Sequence, residues 1–388
     1  MNAQLAADPP AGPRPGPGIQ AGPAVARRPP PRIAVHAAMA LRGVLLRAAD
    51  RMMPAHPALL DHAHQFAKAH LLCSLAELQV ADHLASGPKD AGQLSALTGC
   101  DPAALHRALR AAACFGVVRL DRRGRFHATR LLRQLRRGDP GGAADWCQFI
   151  GSASHQAAWA ALSGSIRTGH SAFRAVHRTS AFDWFAAHPD DGQHFHAGIA
   201  GLTLAEAPLI AAAYPFPDGA IICDIAGGTG ALLTEILRRH PRSHGILIET
   251  PAVLAAAAPY LRTAGLADRV ALTPGDICRD LRATADIYLL KWVLHDWDDS
   301  TCQAILRRIG AAMPVGATLL VIEGVQHHTT PHPRFSMIDL QMLVMTDGGR
   351  ERSEPELAHL ITTAGLRPGR TRHTATGLAL LEATKPPP

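Results

Sequence analysis

No run of 18 or more uncharged apolar residues occurs in this 388-residue chain, so no transmembrane helix is expected. Cysteine is sparse and never forms a C-x-x-C pair; the seven, at 73, 100, 114, 147, 223, 278 and 302, are scattered and odd in number. That pattern excludes a disulfide framework and a zinc ribbon, and it reads as small buried hydrophobes in a reducing, cytoplasmic setting. No H-E-x-x-H occurs either. The 22 histidines include His194/His196 and His327/His328/His332, yet none lies near a matching Cys or carboxylate set. They read as solvated or packing groups, and no metal is expected.

What is present is ample material for buried cores. Hydrophobic residues make up 47% of the chain, and its length favours more than one domain. The net charge of +7 comes from arginines spread along the chain, which is compatible with weak nucleic-acid affinity but does not demand it. Residues 1–50 read as a Pro/Arg-rich disordered tail, stopped at Pro29-Pro30-Pro31 and running into an amphipathic helix over Ile33 to Leu46. A targeting segment or membrane-surface helix is the competing reading, and no stable membrane association is expected.

Residues 51–140 have their own organisation. His62 to Ala85 reads as one long helix carrying Leu71, Leu72, Leu75, Leu78, Val80 and Leu84. A short helix follows Asp90, and Asp101 then caps a third, with Pro102 at its first position. Val117 to Leu120 and Arg125 to Ala128 flank a turn at Arg122-Arg123-Gly124, a β-hairpin. Helix–turn–helix plus hairpin is a winged helix. Its second helix offers Leu105, Ala108, Leu109 and Ala112, few of which can read base edges, so packing or dimerisation is favoured over DNA binding. Residues 141–215 look like a helical connector able to wall a pocket, with Trp146, Trp159, Phe182 and Trp184.

From 216 to 388 β-type runs alternate with helices, which implies a mostly parallel sheet covered on both faces. Strands are expected to end at Ile225, Glu249, Thr273, Leu290 and Glu323, with a last one over Leu378 to Leu381. The first, Ile221 to Ile225, runs through Asp224 into the turn Ala226-Gly227-Gly228-Thr229-Gly230 and a helix, the opening of a nucleotide-type α/β fold. Glu249 lies about 20 residues past that turn, the spacing of a ribose-hydroxyl ligand. Ligands in such sheets bind outside the carboxyl ends of the strands, which puts Gly228, Glu249, Asp276, Lys291, His295 and Glu323 along one edge.

In order, Asp224 to Gly230, Glu249 to Val253, Gly275-Asp276, Leu290 to Asp299 (with His295-Asp296-Trp297-Asp298-Asp299) and Gly348 to Arg352 resemble the signatures of one family. It is the S-adenosylmethionine-dependent small-molecule O-methyltransferases, of the plant caffeate/flavonoid and bacterial polyketide/phenazine type. The resemblance spans about residues 60–385 and implies a seven-stranded Rossmann-like class I methyltransferase domain behind a winged-helix homodimerisation domain. Two departures stand out: Ala226 where many members carry glycine, and Glu249 where many carry Asp.

The resemblance also implies roles. The Asp224 to Gly230 turn, with Gly227, Gly228 and Gly230, would hold the methionine end of S-adenosyl-L-methionine, and Glu249 the ribose. Asp276 would accept from the adenine amino group while Ile277 packs on the ring, and Lys291 would meet the carboxylate. His295 resembles the general base, steered by Glu323 and Glu351. Met337, Met342 and Met345 fall where the family lines its acceptor pocket, although core packing suits them equally. The partner is then a small aromatic acceptor, with no nucleic acid. A phenol titrates near ~10 and an imidazole near ~6.5, so full deprotonation before transfer would cost about 5 kcal/mol. A partial proton shift during attack is expected instead, with the rate falling as pH drops through the histidine range. No Asp/Asn-Pro-Pro-Tyr/Phe motif near Leu290 points to nucleobase or amide nitrogen. Cofactor-dependent hydroxylation or decarboxylation, and a winged-helix DNA regulator, stay open as rivals.

Overall fold

The computed structural model describes residues 32–279, 281–327 and 329–387; the tail expected over the first thirty-odd residues and His328 lie outside them. An amphipathic helix does form, Arg32–Met52, and it crosses the boundary expected at residue 50. It leaves Ile33, Leu41, Leu45 and Met52 exposed.

The winged helix follows. The single helix expected over His62 to Ala85 is instead three pieces, Ala55–Ala63, Gln65–Glu77 and Val80–His83. Gln79 breaks it in the left-handed region at φ 53°. The break lets Leu75 and Ala76 on one side and Val80, Ala81 and Leu84 on the other bury in one core. Helix Ala91–Thr98 starts with a reciprocal capping box between Asp90 and Gln93, and Pro102–Cys114 is capped by Asp101. That last helix turns Leu105, Leu109 and Ala112 inward, where they meet Phe126 of the hairpin Val118–Leu120/Phe126–Ala128.

The connector contains six helices between Ala143 and Ala213. The last, Pro189–Ala213, is the one helix among the described residues long and apolar enough to cross a membrane by length and composition. Here it closes on Trp146 and on Gly141–Gly142 through Gly198 and Gly201, and it buries Glu206.

The sheet has seven strands: β1 Ile221–Ile225, β2 His244–Glu249, β3 Val270–Pro274, β4 Ile287–Lys291, β5 Thr318–Gly324, β6 Arg367–His373 and β7 Leu378–Thr384. Their order is β3-β2-β1-β4-β5-β7-β6, parallel except for β7, which runs antiparallel to both neighbours. Helices cover both faces: Ile222, Leu289 and Leu320 enter one core, while Cys223, Leu290 and Val321 enter the other. Strand β6 is an addition to the sequence reading, and three strands run one residue further than expected, to Pro274, Lys291 and Gly324. The order reverses between β1 and β4. A crevice outside the carboxyl ends of those strands is the favoured ligand position in such sheets.

Candidate active site

The turn after β1 is built by close approach. A Cβ on Gly227 would collide with the Asp224 carboxylate, so only glycine lets the chain pass there. Ala226 sits at φ 52°, a conformation that an L side chain adopts only with strain. Glu249, at the end of β2, ties this turn down: its Oε1 accepts from Gly228 N at 3.1 Å and its Oε2 from Thr250 N at 2.8 Å. Burial raises the Glu249 carboxyl above its ordinary range. Asp224 is fully buried, its Oδ2 has no partner among the described residues, and burial pushes its carboxyl up to about 7. Asp276 accepts from Cys278 N at 2.8 Å and pairs with Arg279 at 3.3 Å, while Ile277 packs on the core beside it.

Lys291 ends β4 with its side chain only 8% exposed. Its Nζ lies 3.0 Å from Glu206 Oε2 and donates to Thr203 Oγ1 at 3.2 Å, both on the connector helix Pro189–Ala213. Glu206 also accepts from Trp292 Nε1 at 3.2 Å and pairs with Arg334 on the helix Pro333–Met345. Trp292, between Lys291 and the base candidate, is held at φ 54°.

The block after Lys291 divides its labour residue by residue. His295 lies on a single 3₁₀ turn, Leu294–Asp296, with Nδ1 2.6 Å from Glu351 Oε1 and Nε2 3.5 Å from Asp296 Oδ1. Asp298 caps the helix Asp299–Ala312 through Thr301 N at 2.7 Å. Asp299 pairs with Arg352, a fully buried guanidinium that also donates to the carbonyls of Leu294 and Trp297, both at 2.7 Å. The glycine pair before Glu351 has a matching reason: a Cβ on Gly349 would collide with the His295 carbonyl.

The two expected steering acids differ. Glu351 meets the imidazole directly, and its backbone N donates to Asp339 at 2.8 Å. Glu323 does not touch the ring. Its Oε1 accepts from Val293 N at 3.2 Å and Leu294 N at 2.9 Å, so it holds the turn that carries His295. Burial pushes Glu323 up to about 7 and Glu351 up to about 9, the latter helped by neighbouring Asp339. Oε2 of each has no partner among the described residues. Sequence reasoning passed over Glu206, Asp339 and the role of Arg352; only Arg352 left a signal, as the residue after Glu351. Of the three methionines, Met337 is exposed while Met342 and Met345 are buried. Among the described residues no group of His, Cys, Asp and Glu is arranged to hold a metal.

Comparison with known proteins decides the family. Residues 159–367 match the model of the O-methyltransferase domain, and residues 60–135 that of the O-methyltransferase dimerisation domain. The chain belongs to the O-methyltransferase family. This methyltransferase is 36% identical over 308 residues to the phenazine O-methyltransferase PhzM of Lysobacter antibioticus, covering 79% of this chain and 90% of that one. The solved structure of LaPhzM superposes with a TM-score of 0.82 at 34% identity, over 86% of this chain and all of that one. The 8-amino-8-demethylriboflavin N,N-dimethyltransferase of Streptomyces davaonensis is 33% identical over 301 residues, 76% of this chain and 86% of that one. The family therefore contains enzymes named for methylating nitrogen as well as oxygen.

Proposed function

We propose that this protein is an S-adenosylmethionine-dependent O-methyltransferase acting on a hydroxyl, phenolic in type, of a small aromatic secondary metabolite. The residues present fit that cofactor: an unpartnered buried acid at Asp224, a turn that only Gly227 can thread, an acid at the end of β2 and a buried cation at the end of β4. Gly227, Gly228 and Gly230 would take its methionine end, Glu249 its ribose, Asp276 and Ile277 its adenine, and Lys291 its carboxylate. When bound, it supplies a methyl group on a positively charged sulfur.

The observation that carries the oxygen reading is the 2.6 Å contact between His295 Nδ1 and Glu351. An amine acceptor attacks through a lone pair it already has, whereas a phenol gains from losing its proton as it attacks. With Glu351 ionised, Nδ1–H donates to it and Nε2, 3.5 Å from Asp296 Oδ1, is the nitrogen with a lone pair to take the hydroxyl proton. Burial that pushes Glu351 up to about 9 works against this state, so the carboxylate form grows as pH rises through neutrality toward 9. The working window thus lies higher than the ~6.5 of a free imidazole. A positioned base contributes roughly 10²–10⁴-fold, and alignment of acceptor and methyl about 7–11 kcal/mol, so positioning leads and the base comes second.

The dimerisation domain argues for a homodimer. The test is incubation with labelled S-adenosylmethionine and a panel of phenols and their amino analogues, read by mass between pH 6 and 9. The expected result is label on the phenols, with turnover rising across that range. Label on the amines alone, or no methylated product from any acceptor, contradicts the proposal.

A further inference from the structure

Lys291 has three N–H groups, and two are committed to the connector helix, one to Glu206 Oε2 and one to Thr203 Oγ1. Among the described residues no hydrogen bond takes the third, which leaves it for a ligand. The charged and titratable groups around this amine come from four elements: Glu206 on the connector helix, Asp224 at the end of β1, Glu323 at the end of β5, and Arg334 on the helix Pro333–Met345, reached through Glu206. The indole of Trp292 lies 5.8 Å from Nζ. Burial works to discharge Lys291, and the three acids oppose it.

Those acids are not equivalent. Burial pushes Asp224 and Glu323 up to about 7, so both lose charge as pH falls through neutrality, and neither makes a hydrogen bond or ion pair to Lys291 among the described residues. Burial raises Glu206 too, but Lys291 and Arg334 outweigh it and hold the Glu206 carboxyl below its ordinary range. Glu206 is therefore the acid in direct contact with Lys291, at 3.0 Å, and the one of the three that keeps its charge below neutrality as well as above it. It also reaches Trp292 and Arg334, so three elements meet on one carboxylate.

We infer that Glu206 is a positioning residue for the cofactor subsite: it keeps the Lys291 ammonium charged, with one N–H left for the ligand's carboxylate. This rests on the reading of Lys291 as the carboxylate contact. Without Glu206 the buried amine is free to lose its proton, and pairing it with a ligand carboxylate then requires it to take up a proton from solvent. Binding would thereby acquire a dependence on pH that the intact pair suppresses.

The experiment is calorimetric titration of the full chain with S-adenosylhomocysteine at pH 7, 8 and 9. Wild-type affinity should be nearly flat in pH, and Lys291→Met should weaken binding about tenfold or more. Glu206→Gln should weaken it about tenfold at pH 7 and by up to a further tenfold per unit as pH rises, the slope of one coupled proton. Glu206→Asp should recover most of the affinity and the flat profile. If Glu206→Gln does not fold, Glu206→Ala carries the test in the same sense, with the same loss at pH 7 and the same fall in affinity as pH rises, and Glu206→Asp again as the rescue. Glu206 variants that bind like wild type at every pH, beside a weakened Lys291→Met, overturn the inference. A Lys291→Met that binds like wild type overturns instead the reading on which it rests.

Discussion

The winged-helix module and the strand-end edge of the sheet treat polar groups in opposite ways. In the module, acids sit outside and finish helices: Asp90 and Asp101 accept from backbone N–H groups at 2.8 and 2.7 Å, and the interior is Leu75, Leu94, Leu105, Leu109 and Phe126. At the sheet edge, acids sit inside. Asp224, Glu323 and Glu351 each bury an oxygen without a partner among the described residues, and Ala226 and Trp292 hold strained backbone. Unmet polar groups cost stability, and natural folds tolerate them chiefly where a ligand or a proton will use them. The module is built to be stable and to pair; the edge is built to act.

That contrast can be broken from either side. The largest stability effect should come from the module: Leu109→Ala empties a fully buried site and should cost about 2–5 kcal/mol in denaturant unfolding. Its turnover per folded molecule should stay at the wild-type value. A lost turnover with intact stability would mean that the module takes part in chemistry. A smaller effect of opposite sign is expected at the edge. Ala226→Gly removes a left-handed alanine and should stabilise the unliganded protein by up to about 1 kcal/mol, seen as a higher melting temperature. A lower one would show that the methyl of Ala226, packed on the core beside β1, outweighs its backbone strain.

How much was legible in the sequence follows the same division. Caps and turns are local, so Asp90, Asp101 and the hairpin could be read directly, as could the glycine turn, the polar strand ends at Glu249 and Lys291, and His295 just past the latter. Interruptions decided by tertiary packing could not. Nothing near Gln79 signals a left-handed residue; the break exists because two buried side chains before it and three after it share one core. Strand β6, Arg-Pro-Gly-Arg-Thr-Arg-His, lacks the apolar alternation of a strand and forms because β7 offers it an edge. Glu206 was hidden for a different reason. A lone glutamate in an apolar helix carries no pattern of its own, and its partners at Lys291, Trp292 and Arg334 come from distant parts of the chain. Glu323 was legible as an acid at a strand end, but its target, the backbone ahead of His295, emerges only from the fold.

The central claim is that His295, paired with Glu351, takes the acceptor proton while the rest of the edge aligns the reactants. The most direct measurement is the turnover of His295→Ala with a phenolic acceptor at saturating S-adenosylmethionine, beside the affinity of the same variant for S-adenosylhomocysteine. Turnover should fall by about 10²–10⁴-fold with cofactor affinity nearly intact, and residual activity from alignment should persist. Full turnover in His295→Ala would contradict the claim and leave alignment alone to carry the reaction.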